Sequence, residues 1–352
     1  MMKRILLPLL TLLLAYLLFF PVKIEPTAWQ PPENEGFTGQ FEQNGVLAST
    51  EIRFGESCKE CESVHVDSAD NVYGSSVTGD VWLYEQGRGA GRVLANTGGR
   101  PLGLQKDSSG NLLVVDSHKG LISIAPDGVI TTLATTSDDD IALGFADDLE
   151  IAEDGVVYFS DASYKFAVEG YKLDLLEHQP NGRLLAYYPE TKKTKTLLND
   201  LYFANGIAVS HEQDFVLVNE TGKYRVTRYW LKGEKAGTSD VLIDNLPGFP
   251  DGISQGEDGI FWVAIISPRD ASLDAIMPYP FVRKIITRLP EFLKPKPKNY
   301  ACVLGINREG EVIHNFQDPS GKFAQISCVT EQNGKLYFGS LGQSGVGVFN
   351  LK

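Results

Sequence analysis

GFADDLEIAEDGVVYFSD, Gly144 to Asp161, decides the fold. Leu149, Glu150 and Ile151 read as one short strand, Glu153 to Gly155 as a tight turn, and Val156 to Phe159 as the strand that returns. Asp-Gly supplies the positive φ such a turn needs, and β-branched and aromatic neighbours suit a pleated surface. Two acids, Asp147 and Asp148, stand just ahead of the first strand.

The same unit recurs. DSADNVYGSS starts at 67, DSSGNLLVVD at 107, EDGVVYFSD at 153, HEQDFVLVNE at 211, EDGIFWVAI at 257 and QNGKLYFGS at 332. Each is a polar turn followed by an alternating run that ends on a small or acidic residue. Hairpins alone also fit a β-sandwich or two β domains. Six copies, mostly forty-odd residues apart with no linker between any two, predict an all-β chain folded as a six-bladed β-propeller over residues 36–352. The two long intervals carry insertions, near 164–180 and 267–298. In the second, Phe281, Ile285, Leu289 and Phe292 recur at helical spacing with Arg283, Lys284, Arg288 and Lys294 between them. The spacing predicts a basic amphipathic helix over Ala275 to Lys294, broken by Pro290. It would pack on the propeller's side, cover its mouth or lie on a membrane surface.

Composition narrows the partners. A formal net charge of −13 argues against nucleic acid and leaves room for a cation site. Cys58, Cys61, Cys302 and Cys328 are too few for a disulfide scaffold. The N-terminal 22 residues read as an address: Lys3 and Arg4 precede an almost wholly apolar run, Ile5 to Val22, about 18 residues long. It ends without small residues at a cleavage position, so an uncleaved transmembrane signal-anchor is expected, with the propeller outside the cytoplasm. Residues 23–35 are Pro-rich and read as a stiff linker. In that compartment a disulfide is expected, Cys302 with Cys328 or one of these with Cys58 or Cys61; the Cys58-x-x-Cys61 spacing lacks the context of a redox or zinc motif.

From Asp200 to Ile265 the residues become specific. FANGIAVS, RYWLKGEKAGTSDVLIDNLPGFPDGI and FWVAI, with GRPLGL from Gly99, DSHKGL from Asp116, FADDLEI from Phe145 and LYFGSL from Leu336, closely resemble the strictosidine-synthase-like family. With the N-terminal apolar run, the nearest shape is the adipocyte plasma-membrane-associated type. The wider group includes gluconolactonase, senescence-marker and paraoxonase propellers, and the resemblance implies a calcium-type ion on the central axis.

Glu62, Asp147, Asn205 and Asp251 each stand the same few residues ahead of a hairpin turn, where inner strands begin beside the channel. Calcium wants six to eight hard oxygens, and these residue types supply them. The resemblance implies the same four positions as ligands, with Asp147 where asparagine is usual and Gly252 where some members carry asparagine. The alternative is that these polar residues only cap strands. Asp148 is expected to bond backbone instead. With Ca2+ as Lewis acid, the chain would hydrolyse a small ester or lactone, Asp251 positioning or deprotonating water. His118, in DSHKGL, is a further catalytic candidate, because Arg100 to Gly103 lack the histidine of paraoxonase-type sites. The runner-up is a non-enzymatic binding or scaffold propeller with a structural ion. Synthase chemistry is not expected: Ser327 stands where strictosidine synthase has its glutamate. No G-x-S-x-G elbow suggests a serine hydrolase.

Overall fold

A computed structural model describes residues 2–55 and 57–351, with side chains from Pro8 onward, so those of Lys3 and Arg4 lie outside the described residues. Among the described residues, twenty-four strands form six four-stranded antiparallel sheets. The innermost strands are Val64–Val66, Pro101–Lys106, Ala146–Ile151, Ala204–Val209, Gly248–Gln255 and Ile326–Gln332, one per blade in chain order. The ring closes when the N-terminal strand Glu51–Arg53 pairs with Val346–Asn350 in the last blade. All six turns read from the sequence join an inner strand to its neighbour. Each turn holds a residue with positive φ: Asp70, Gly110, Gly155, Gln213, Asp258 and Gly334. The blades pack through apolar faces, with Phe215, Ile253, Phe261 and Leu304 buried in one cluster and Trp262, Phe323 and Phe338 in the next. Burying each such side chain contributes about 1.5–3 kcal/mol.

Both insertions are helical and meet each other at the channel mouth. The α-helices among the described residues are α1 (Met2–Phe19), α2 (Tyr171–Glu177), α3 (Ala271–Ile276) and α4 (Pro280–Thr287). The helix expected from Ala275 to Lys294 is therefore shorter: α3 ends at Ile276, and α4 stops at Thr287, ahead of Pro290. Pro280 opens the second at its first turn, where its missing N–H costs nothing. The expected faces are also reversed at two positions: Phe281 is 56% exposed, whereas Arg283 is fully buried. Arg283 donates to the carbonyls of Leu176 (2.9 Å), Glu177 (3.3 Å) and Thr27. Helix and strap carbonyls need donors there, and that demand outweighs apolar spacing.

The segment expected as a stiff linker packs against the propeller's insertions as a strap. Ile24 is fully buried against Phe166 and Leu176. Main-chain bonds tie Thr27 N–H to Glu177 O (3.2 Å) and Trp29 N–H to Met277 O (3.2 Å). Trp29 also stacks on His178 with ring centroids 4.1 Å apart. Among the described residues no helix is long and apolar enough to cross a membrane. The disulfide joins Cys58 to Cys61, not either of the expected pairs. Cys302 and Cys328 are free thiols. Cys302 is sealed in the blade-five core, and the Cys328 sulfur accepts N–H groups from Val64 (3.1 Å) and Gly339 (3.2 Å).

Candidate active site at the channel mouth

A β-bulge near the start of five of the six inner strands builds the site. Register shifts fall between Pro101 and Leu104, Ala146 and Leu149, Ala204 and Ile207, Pro250 and Ile253, and Ile326 and Val329. Each bulge aims its first extra residue at the axis and lays its second against the next blade. Glu62 enters just ahead of blade one's inner strand, its N–H on Ser75 O (3.0 Å). The axial positions are thus Glu62, Leu102, Asp147, Asn205, Asp251 and Ser327. Four of them, Glu62, Asp147, Asn205 and Asp251, line one cavity of about 480 Å³.

The second bulge residue is a packing device. A Cβ on Gly252 would lie 2.5 Å from Ser327 O, and one on Gly103 only 2.7 Å from Asp148 Cα. Gly252 is thus required by close approach of backbones, a reason unrelated to ion coordination. Asp148 bonds backbone as expected: it accepts from Leu149 N–H (2.9 Å) and, across to the next blade, Ile207 N–H (3.0 Å). Cys328 takes the same inter-blade role toward Val64.

A second tier lies two residues before each axial position: Glu60, Arg100, Phe145, Phe203, Phe249 and Gln325, all facing the cavity. Arg100 reaches from it down to Glu62, Nη2 donating to Oε2 at 2.5 Å. Its main-chain N–H is held by Asp116 Oδ1 (3.0 Å), the acid that ends VVD116. Asp161 ends its own strand likewise, accepting from Phe145 N–H (2.7 Å). Arg100 is 9% exposed, and its Nη1 is buried with no acceptor from the protein. Sequence reading missed this residue; its signal was the shared offset of two from the axis.

Burial pushes the carboxyls of Glu62, Asp147 and Asp251 upward, Asp147 and Asp251 well above the ordinary range. Their neighbouring negative charges add to this, while Arg100 opposes it at Glu62 and Asp147 and Asn205 opposes it at Asp251. Such crowding would suit a cation, but the arrangement does not fit a calcium cage. Among the described residues no three Asp, Glu, His or Cys side chains are grouped to hold a metal ion. Glu62 faces a guanidinium, which offers no lone pair and brings positive charge of its own. The expected ligands share a cavity, and Arg100 stands among them.

His118 is not brought to that cavity. Its ring is exposed and its Nε2 lies 2.9 Å from Glu169 Oε1. Ser327 donates its hydroxyl to Glu62 O (2.6 Å) and offers no carboxylate. Above the floor the walls are largely apolar, with Tyr171, Leu175 and Leu273 from the insertions and the Lys294 to Lys298 segment at the rim.

The strictosidine synthase family model matches residues 147–234, two of the axial positions among them. A rat adipocyte plasma membrane-associated protein is 32% identical over 350 residues, covering 93% of each chain. The chain belongs to the strictosidine synthase-like family. An Arabidopsis thaliana protein, strictosidine synthase-like 7, is 38% identical over 250 residues, 71% of this chain and 66% of that one. The match thus spans about two thirds of the plant relative's length. Among solved structures, a gluconolactonase from Xanthomonas campestris superposes with TM-score 0.63 at 14% identity, covering 88% of this chain and 92% of that one. A calcium-binding regucalcin from Agrobacterium tumefaciens gives 0.60 at 16%, covering 85% and 92%. At those identities the likeness is one of fold.

Proposed function

We propose that this propeller hydrolyses small esters or lactones in the mouth cavity. One observation carries the reading: buried carboxyls pushed upward share, with a guanidinium fixed on Glu62, the floor of an apolar-walled cavity that would hold a small acyl group. Asp251 is the base. Its main chain is pinned, the carbonyl accepting from Asn219 Nδ2 at 2.6 Å, and its raised carboxyl is a stronger base than an ordinary aspartate once ionised. Water adds to the carbonyl carbon and gives its proton to Asp251. The tetrahedral species then expels the alcohol oxygen, which takes that proton back, leaving acid and alcohol, or the hydroxy acid from a lactone.

Calcium dependence belongs to the same test, because the donor set supports it by type but not by grouping. Phenyl acetate and a δ-lactone should be hydrolysed by the full chain in detergent micelles. Asp251→Asn should lower kcat by about 10²–10⁴-fold. Activity should climb with pH as Asp251 loses its proton. Equal rates in wild type and Asp251→Asn would end the reading, and the rate after chelation decides the calcium part. We further infer that α1 anchors the chain in a membrane with the propeller outside the cytoplasm. Exposed Leu9, Leu12 and Leu13 and the Cys58–Cys61 disulfide support this, since disulfides persist in oxidising compartments.

A further inference from the structure

We propose that Arg100 is the channel's resident cation and receives the substrate's carbonyl oxygen, doing with an N–H donor what the expected calcium would have done as Lewis acid. The inference rests on the hydrolase reading and deepens it. Guanidinium stays protonated at any working pH. One guanidinium nitrogen of Arg100 is spent, Nη2 on Glu62, while the residue's main-chain N–H is anchored on Asp116. Nη1 is not spent, since it is buried without an acceptor. Buried polar groups are nearly always paired, and an unpaired one costs about 1–3 kcal/mol. A donor held at that cost, in a cavity it shares with Asp147 and Asp251, is placed for a ligand oxygen.

The geometry selects the ligand atom. A donor fixed by two anchors stabilises charge that develops on an oxygen, as an oxyanion hole does. Glu62 holds the guanidinium from below, so the pair acts as one rigid group. During hydrolysis the carbonyl π electrons move to the oxygen facing Nη1 as water's oxygen bonds the carbon, and they return when the alcohol leaves. No oxidant or further reactant is needed.

The test uses full chain in detergent micelles and monophenyl methylphosphonate, a tetrahedral anion, as the probe in titration calorimetry. Wild type should bind it equally with calcium or with a chelator, and its melting temperature should not respond to calcium. Arg100→Met should bind it about 10–100-fold more weakly, the worth of one charge-assisted bond. Arg100→Lys, which keeps charge and loses the fork, should fall between. Should Arg100→Met fail to fold, the wild-type calcium arm still decides. Phosphonate binding that requires calcium overturns the proposal. Unchanged phosphonate affinity and kcat in folded Arg100→Met overturn it while leaving the hydrolase reading intact. Arg100-dependent phosphonate binding with no ester turnover does the reverse: Arg100 stands as an oxyanion receptor and the hydrolase reading falls.

Discussion

Gly206 lies in the bulge that carries Asn205 to the axis, and an alanine there should disturb fold and site together. A Cβ at this position would lie 2.3 Å from Ile253 N, 2.5 Å from Asp251 O and 2.6 Å from Gly252 C, all main chain of the next blade. Carbon contacts settle at about 3.5 Å, so the two blades must separate by roughly 1 Å. No flexible side chain can give way instead. Overpacking of this kind costs about 1–3 kcal/mol, occasionally more. A bond across the same interface, from Asn219 Nδ2 to Asp251 O, now 2.6 Å, would stretch too and add about 1 kcal/mol. Gly206→Ala should therefore lose about 2–4 kcal/mol in urea denaturation followed by tryptophan fluorescence. Because Asn205 and Asp251 flank the contact, a displacement near 1 Å should also cost about 100-fold in kcat/KM on phenyl acetate. Gly45→Ala is the control: nothing lies within 4 Å of its Cβ, and its φ is −128°. A Gly206→Ala protein as stable and active as that control would refute the account of how the bulges set the axis.

Glu150→Gln should change the pH dependence of stability. Burial pushes the Glu150 carboxyl up to about 8, against the pull of Val209 N–H. A folded value above the unfolded 4.5 means stability falls as pH rises from about 4.5 to about 8. The full shift corresponds to ~5 kcal/mol, and partial solvent contact reduces this to about 1–3. The variant should match wild type at pH 4 and exceed it by that amount at pH 9; a difference that does not vary with pH would show that Glu150 titrates normally. Thiol titration checks the cysteine assignment. Folded protein should react negligibly, since burial raises the Cys302 thiol and pushes Cys328 up to about 12. Urea without reductant should expose two thiols per chain, whereas none would mean that Cys302 and Cys328 are joined.

What the sequence shows and what it hides divide along a physical line. The propeller was legible because each turn needs a positive φ and each inner strand alternates, both local demands. The axial set was legible for the same reason: Glu62, Asp147, Asn205 and Asp251 share one offset from a local signal. Arg100 was hidden, although GRPLGL had been singled out, because its meaning depends on reaching from blade two to Glu62 in blade one. Arg283 was hidden likewise, since its burial answers carbonyls of Leu176 and Thr27, far away in the chain.

That division bears on the chemistry. A cluster of carboxylates read from strand offsets alone demands a cation and leaves its identity open. An external ion and an internal guanidinium both answer the demand, but they place the positive charge differently. An ion would draw Glu62, Asp147 and Asp251 inward as ligands and lower all three carboxyl pKa values. Arg100 engages Glu62 directly, which leaves Asp251 as the axial carboxylate that can take a proton from water. Whether this chain turns over esters therefore hinges on the cation two residues outside the axial ring as much as on the acids within it.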